Sequence, residues 1–200
     1  MLKAPRLIIF GGANGSGKST LTNFYKRKLL TSSVLLDPDA IARELNPNEP
    51  AKAAIQAARY VLQQQQIFLN SGQSFVLETT LSSQGNLELI QAAKARGWLV
   101  RLLYVGLTDP MINVQRVASR VLDGGHDVPE TDIRRRFERS MKNLSVAAEL
   151  VDLLSIHDNS GRSMRRVALI KQQRILRLET KNSVTWWEIA LSPYLKKLES

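Results

Sequence analysis

Residues 11–20 read GGANGSGKST, directly behind the apolar run LIIF at 7–10. Gly12, Gly17, Lys18 and Ser19 satisfy the pattern G-x-x-x-x-G-K-[ST], with a predicted strand before it and a predicted helix after it. Each residue type has a physical task. The glycines let the backbone curl, so that N–H groups of Gly12, Ala13, Asn14, Gly15, Ser16, Gly17, Lys18, Ser19 and Thr20 can face phosphate oxygens. The start of the following helix adds a favourable dipole. Lys18 supplies a point charge for the β- and γ-phosphates, and the Ser19 hydroxyl is a ligand for Mg²⁺. A plain glycine-rich turn would need neither Lys18 nor Ser19 at those places. The stretch therefore predicts ATP or GTP held with Mg²⁺.

Working outward, strand-like and helix-like segments alternate. Strands are predicted at 7–10, 34–36, 74–77, 98–105 and 153–157, and helices at 18–30, 50–70, 87–96, 110–122 and from Pro129 onward. In the last of these Ile133, Phe137, Met141, Leu144, Ala148 and Val151 recur three or four residues apart, a single apolar stripe. Repeated strand–helix units predict an α/β fold of three layers, a mainly parallel sheet with helices on both faces. Ligands then sit at the carboxyl edge of the strands. Gly12 to Lys18, Asp37 and Asp39, Glu78 to Thr80, and Asp158 with Asn159 all follow predicted strand ends. Residues 1–161 are read as the core, and 162–200 as a basic β/α appendage of the same domain, with a turn at 181–183 and an aromatic-rich helix ending near 199.

Three further stretches carry chemistry. In DPDA, 37–40, a carboxylate facing the cleft opposite the phosphate donor can take a proton from an acceptor hydroxyl. Locally, however, Asp39 reads first as the N-cap of a helix starting at Ala40, with Asp37 as the competing cap. Glu78, in FVLETT, would occupy a position beside Mg²⁺ if its strand neighbours the first; contact with an acceptor is the other reading. The segment 116–139 holds Arg116, Arg120, Arg134, Arg135, Arg136 and Arg139 around a Gly-Gly pair. Arginines on a closing lid stabilise charge on a transferring phosphoryl group. Arg134 and Arg136 flank the apolar stripe, whereas Arg135 points away; Arg135 and Arg139 read as solvated surface. His126 lies in the lid loop, within reach of a ligand.

Composition narrows the setting. The chain has 200 residues and no cysteine, which excludes disulfides and thiolate metal sites. No apolar run approaches membrane-spanning length, and the sequence enters a core strand without signal-peptide features, so a cytoplasmic protein with no membrane association is expected. Net charge is +10, and residues 162–200 carry nine Lys/Arg against three Asp/Glu. Such a surplus suits nucleic acid, an anionic membrane or polyphosphate ligands, and equally a solvated basic face. No zinc-finger, RRM or basic-region signature accompanies it, so nucleic acid is not the favoured partner.

Taken in order, GGANGSGKSTL, DPDAIA, FVLETTLS, YVGL, RVASRVLDGGHDVPETDIRRRFERSMKNL and DNSG resemble the zeta-toxin type of P-loop kinases, which are related to chloramphenicol phosphotransferase. The resemblance runs from about residue 7 to 161 and is most specific in the lid. It implies a P-loop NTPase fold with a five-stranded sheet in the order 2-3-1-4-5. It also implies phosphorylation by ATP, with Mg²⁺, of a hydroxyl of UDP-N-acetylglucosamine, and an antitoxin protein as partner. By position, Asp39 is then the catalytic base rather than a cap, and Lys18 the phosphate lysine. Glu78 and Thr80 then contact the acceptor, and Arg120 with Arg134 or Arg136 stabilises charge. Asp37 stands where the family pattern has asparagine and adds a negative charge near the acceptor. Open alternatives are a kinase of the same fold for another nucleotide sugar, an antibiotic or a polynucleotide 5′ end, and a non-enzymatic ATP switch that binds nucleic acid or a partner protein.

Overall fold

The structure, a computed structural model, describes residues 4–29, 33–122, 125, 127–179 and 184–199. Strand β1 (Arg6–Gly11) is buried from Leu7 onward because it has parallel neighbours on both edges and layers on both faces. β3 (Phe75–Thr79) pairs on one edge and β4 (Leu99–Gly106) on the other. β2 (Val34–Leu36) adds to β3, and β5 (Leu153–Asp158) to β4, both parallel. The parallel part of the sheet therefore runs β2-β3-β1-β4-β5, the expected order.

The appendage lengthens this sheet to seven strands. β6 (Arg165–Lys171) pairs antiparallel with β5, and β7 (Arg174–Leu178) antiparallel with β6. Their two-residue connection holds Gln172 at φ 47° and Gln173 at φ 61°. Both angles are positive, as in the turn that best matches strand twist, yet the usual Asn-Gly or Asp-Gly signal is missing.

Among the described residues seven helices complete the fold: α1 (Lys18–Leu29), α2 (Pro38–Leu45), α3 (Pro50–Ser71), α4 (Gln84–Ala95), α5 (Pro110–Leu122), α6 (Glu130–Leu150) and α7 (Trp186–Glu199). Alternate residues of β1 face opposite layers. Leu7 and Ile9 join the large core formed with α3, α4, α6 and α7, while Ile8 and Phe10 join a smaller one against Leu21 of α1. Helix α5 stands apart. Its Val114, Val117 and Val121 cluster with Val128 and Ile133, over the carboxyl edge of the sheet. α7 docks where β4 ends. The Trp186 ring occupies the space a Cβ on Gly106 would need, and its indole N–H donates to Asp158 Oδ1 at 3.1 Å. The turn expected at 181–183 lies outside the described residues.

Candidate active site

The phosphate loop joins β1 to α1, and its conformation requires glycine. Gly12 has φ 143°, and a Cβ there would collide with the Val105 carbonyl of the neighbouring strand. The loop carbonyls are tied down by side chains. Lys18 Nζ donates to Ala13 O at 3.2 Å, Asn113 Nδ2 to Asn14 O at 2.5 Å, and Asn159 Nδ2 to Ser16 O at 2.8 Å.

A cleft of about 240 Å³ opens on this loop. Asn14, Gly15, Gly17, Lys18, Ser19 and Thr20 form one wall, with Asp39, Glu78, Arg116 and Arg120 around the rest. Residues from four separate stretches of sequence thus meet in one space. Burial pushes the Lys18 ammonium below its ordinary range; Glu78, Asp39 and Asp37 act to raise it and Arg120 to lower it. A desolvated cation in this position favours an anionic ligand such as phosphate.

Asp37, not Asp39, caps α2. Asp37 Oδ1 accepts from the Asp39 N–H at 2.9 Å, and Pro38 fills the first helical position, where no N–H is needed. The helix accordingly begins at Pro38 instead of Ala40. The Asp39 carboxylate is not spent on the cap and lines the cleft. Burial, followed by the Glu78 charge, raises the Asp37 carboxyl, against lowering by the Ala40 and Asp39 N–H groups.

Glu78 sits in register with Phe10 on the adjacent strand and is buried. Its Oε1 accepts from Ser19 Oγ at 2.6 Å and its Oε2 from Thr22 Oγ1 at 2.8 Å. Both oxygens face the phosphate-loop side of the cleft. Thr80 is not among the residues that line the cleft; its hydroxyl lies 2.8 Å from Ser82 Oγ, and the next residue, buried Leu81, takes φ 57°.

The arginines divide. Arg116 and Arg120 reach the cleft from α5. Arg136 Nη1 donates to Asn14 Oδ1 at 3.2 Å, touching the phosphate loop from α6. Arg134 turns to its own helix, with Nε 2.7 Å from Glu130 Oε1 and Nη2 on the Met111 sulfur. Arg135 pairs with Asp132 at 2.7 Å and is exposed, as is Arg139. His126 lies outside the described residues. Asn113 escaped sequence reasoning. The signal for it was a polar side chain four residues before Val117, on the apolar face of α5, where an asparagine must find a buried partner.

A phosphate loop at the carboxyl edge of a 2-3-1-4-5 parallel sheet, with arginine-bearing helices above it, defines the class: this is a P-loop kinase fold. Comparison with known proteins narrows the class. Residues 1–165 match the family described as Zeta toxin, and the chain belongs to that family of kinase-like phosphotransferases. An uncharacterised protein of Haemophilus influenzae is 33% identical over 132 residues, covering 66% of this chain and 92% of that one. Among solved structures, AvrRxo1-ORF1:-ORF2 with ATP superposes with TM-score 0.68 at 16% identity, over 98% of this chain and 64% of that one. The chain thus spans less than two thirds of that protein. The structure from the PezAT chromosomal toxin-antitoxin system of Streptococcus pneumoniae gives TM-score 0.61 at 16% identity, covering 100% of this chain and 88% of that one. Among the described residues no helix is long and apolar enough to cross a membrane.

Proposed function

We propose that this protein transfers the γ-phosphoryl group of ATP to a hydroxyl of a UDP-amino sugar, UDP-N-acetylglucosamine in particular. The observation that carries this reading is the single cleft shared by Lys18, Ser19, Asp39, Glu78, Arg116 and Arg120. A nucleotide switch needs the loop and a metal-side carboxylate. It does not need a second carboxylate, left off its helix cap, across from the loop. The AvrRxo1-ORF1:-ORF2 structure is a complex with ATP, and the acceptor is taken from the family resemblance of residues 7–161 as a whole.

In this mechanism the loop amides and Lys18 hold the β- and γ-phosphates. Asp39 accepts the proton of the acceptor hydroxyl as that oxygen bonds to the γ-phosphorus. The bond from that phosphorus to the β,γ-bridging oxygen breaks, and ADP leaves. Arg120 and Arg116 meet the charge spread over the equatorial oxygens, with Arg136 behind them on Asn14. The donor set suits Mg²⁺: Ser19 Oγ and the Glu78 carboxylate are hard oxygens 2.6 Å apart, and such ions take few protein ligands beside nucleotide phosphates. Bound there, the ion would neutralise phosphate charge. Among the described residues no three His, Asp or Glu side chains gather into a separate metal site. A protein antitoxin is the proposed partner, by analogy with the toxin-antitoxin system of PezAT.

The test is γ-labelled ATP offered with UDP-sugars, other nucleotides, antibiotics and 5′-hydroxyl oligonucleotides, read by the mass of each acceptor. Phosphorylated UDP-N-acetylglucosamine is the expected product. Label on an oligonucleotide with the UDP-sugars unchanged would overturn the acceptor assignment. ATP binding with no acceptor labelled would favour the switch.

A further inference from the structure

Helix α5 carries Arg116 and Arg120 to the cleft, yet its apolar face packs in a cluster separate from the cores on the two sheet faces. What fastens it to the phosphate loop is polar. Fully buried Asn113 donates from Nδ2 to the Asn14 carbonyl at 2.5 Å, and its own carbonyl lies 2.6 Å from where a Cβ on Gly15 would stand. One turn further along, Arg116 Nη2 donates to Asn159 O at 2.9 Å, and Asn159 Nδ2 donates to Ser16 O at 2.8 Å. Asn159 also fills the space a Cβ on Gly17 would claim; at φ 102° that glycine leaves room for the amide.

Two asparagine amides from different elements therefore take loop carbonyls, one from α5 itself and the other bonded to α5. Asn113 Oδ1 is buried with no partner among the described residues, which ordinarily costs stability. Its donor is what the site retains.

We propose that Asn113 and Asn159 are positioning residues that join the arginine helix and the phosphate loop into one body. Arg120 is thereby held at a fixed distance from the phosphate the loop binds. The inference rests on the phosphoryl-transfer reading above. A displacement of about 1 Å in such a site can cost on the order of 100-fold in rate.

The experiment compares Asn113→Leu, which keeps nearly the same shape but loses the donor, with Asn159→Ala, each alone and with Arg120→Ala. Nucleotide affinity, single-turnover transfer and hydrogen–deuterium exchange over residues 110–122 with and without Mg·ATP are measured. Both single variants are expected to bind ATP within about threefold of the parent and to transfer roughly 100-fold more slowly. The protection that ATP confers on 110–122 should be lost, and the variants should add little in the Arg120→Ala background. Undiminished transfer, or losses that multiply independently of Arg120, would overturn the proposal. If Asn113→Leu fails to fold, half-buried Asn159 decides alone. If the parent binds ATP but labels no acceptor, the transfer reading falls. Exchange then judges the latch by itself: protection lost in the variants supports it, and protection kept overturns it.

Discussion

The Ser19 hydroxyl donates to Glu78 Oε1 at 2.6 Å, joining the first turn of α1 to the end of β3, while Thr22 holds the other carboxylate oxygen at 2.8 Å. The pair sets two hard oxygens side by side beneath the phosphate loop. Glu78→Gln keeps the shape and removes the charge. It should raise the Mg²⁺ concentration needed for half-maximal transfer by roughly tenfold or more, the scale of a lost charge-assisted contact. A Mg²⁺ titration of the parent and the variant measures this. An unchanged midpoint would move Glu78 away from the metal and toward the acceptor.

The arginines should separate by what they face. Arg120 lines the cleft, and Arg120→Ala is expected to slow transfer by about 100-fold or more, the scale of losing one charge-stabilising group. Arg135 is exposed on its ion pair with Asp132, and Arg135→Ala should leave the rate nearly unchanged. Single-turnover rates with saturating ATP distinguish the two.

Acid sensitivity should begin near neutrality because of His157. Burial, then the Arg166 charge, lowers its pKa from 6.5 to about 4, and its Nε2 lies 3.0 Å from Ser155 Oγ. The unfolded chain binds this proton at higher pH than the fold does. The contribution is therefore complete above about pH 6.5 and is lost as pH falls toward 4, amounting to about 3 kcal/mol. Denaturant midpoints at pH 7.5 and 4.5 should differ more for the parent than for His157→Gln.

Much of this is legible in the amino-acid sequence. The apolar run before the loop reads as a core strand, and motifs falling after several predicted strands mark one edge of a sheet. Other features were hidden for identifiable reasons. The β6–β7 turn uses two glutamines where glycine or asparagine is the usual signal. Asp37 and Asp39 are both cap residues by type, and only the backbone geometry assigned the cap to Asp37. Helical spacing put Arg134 and Arg136 on equal terms, but Glu130 one turn away engages the first while Asn14 engages the second. The Asn113–Asn14 contact spans 99 residues, and no local pattern encodes it.

The proposed role of Asp39 is to take the proton of an acceptor hydroxyl, and its neighbour supplies the control. Asp37→Ala removes the α2 cap and should cost about 1 kcal/mol of stability while transfer persists. Asp39→Asn should leave stability and ATP affinity close to those of the parent, because its side chain is not the cap. The most direct measurement is single-turnover transfer from γ-labelled ATP to UDP-N-acetylglucosamine by Asp39→Asn, alongside its ATP affinity. ATP should bind as tightly as to the parent, with transfer slowed by about 100-fold or more. Transfer at the parent rate would contradict that role.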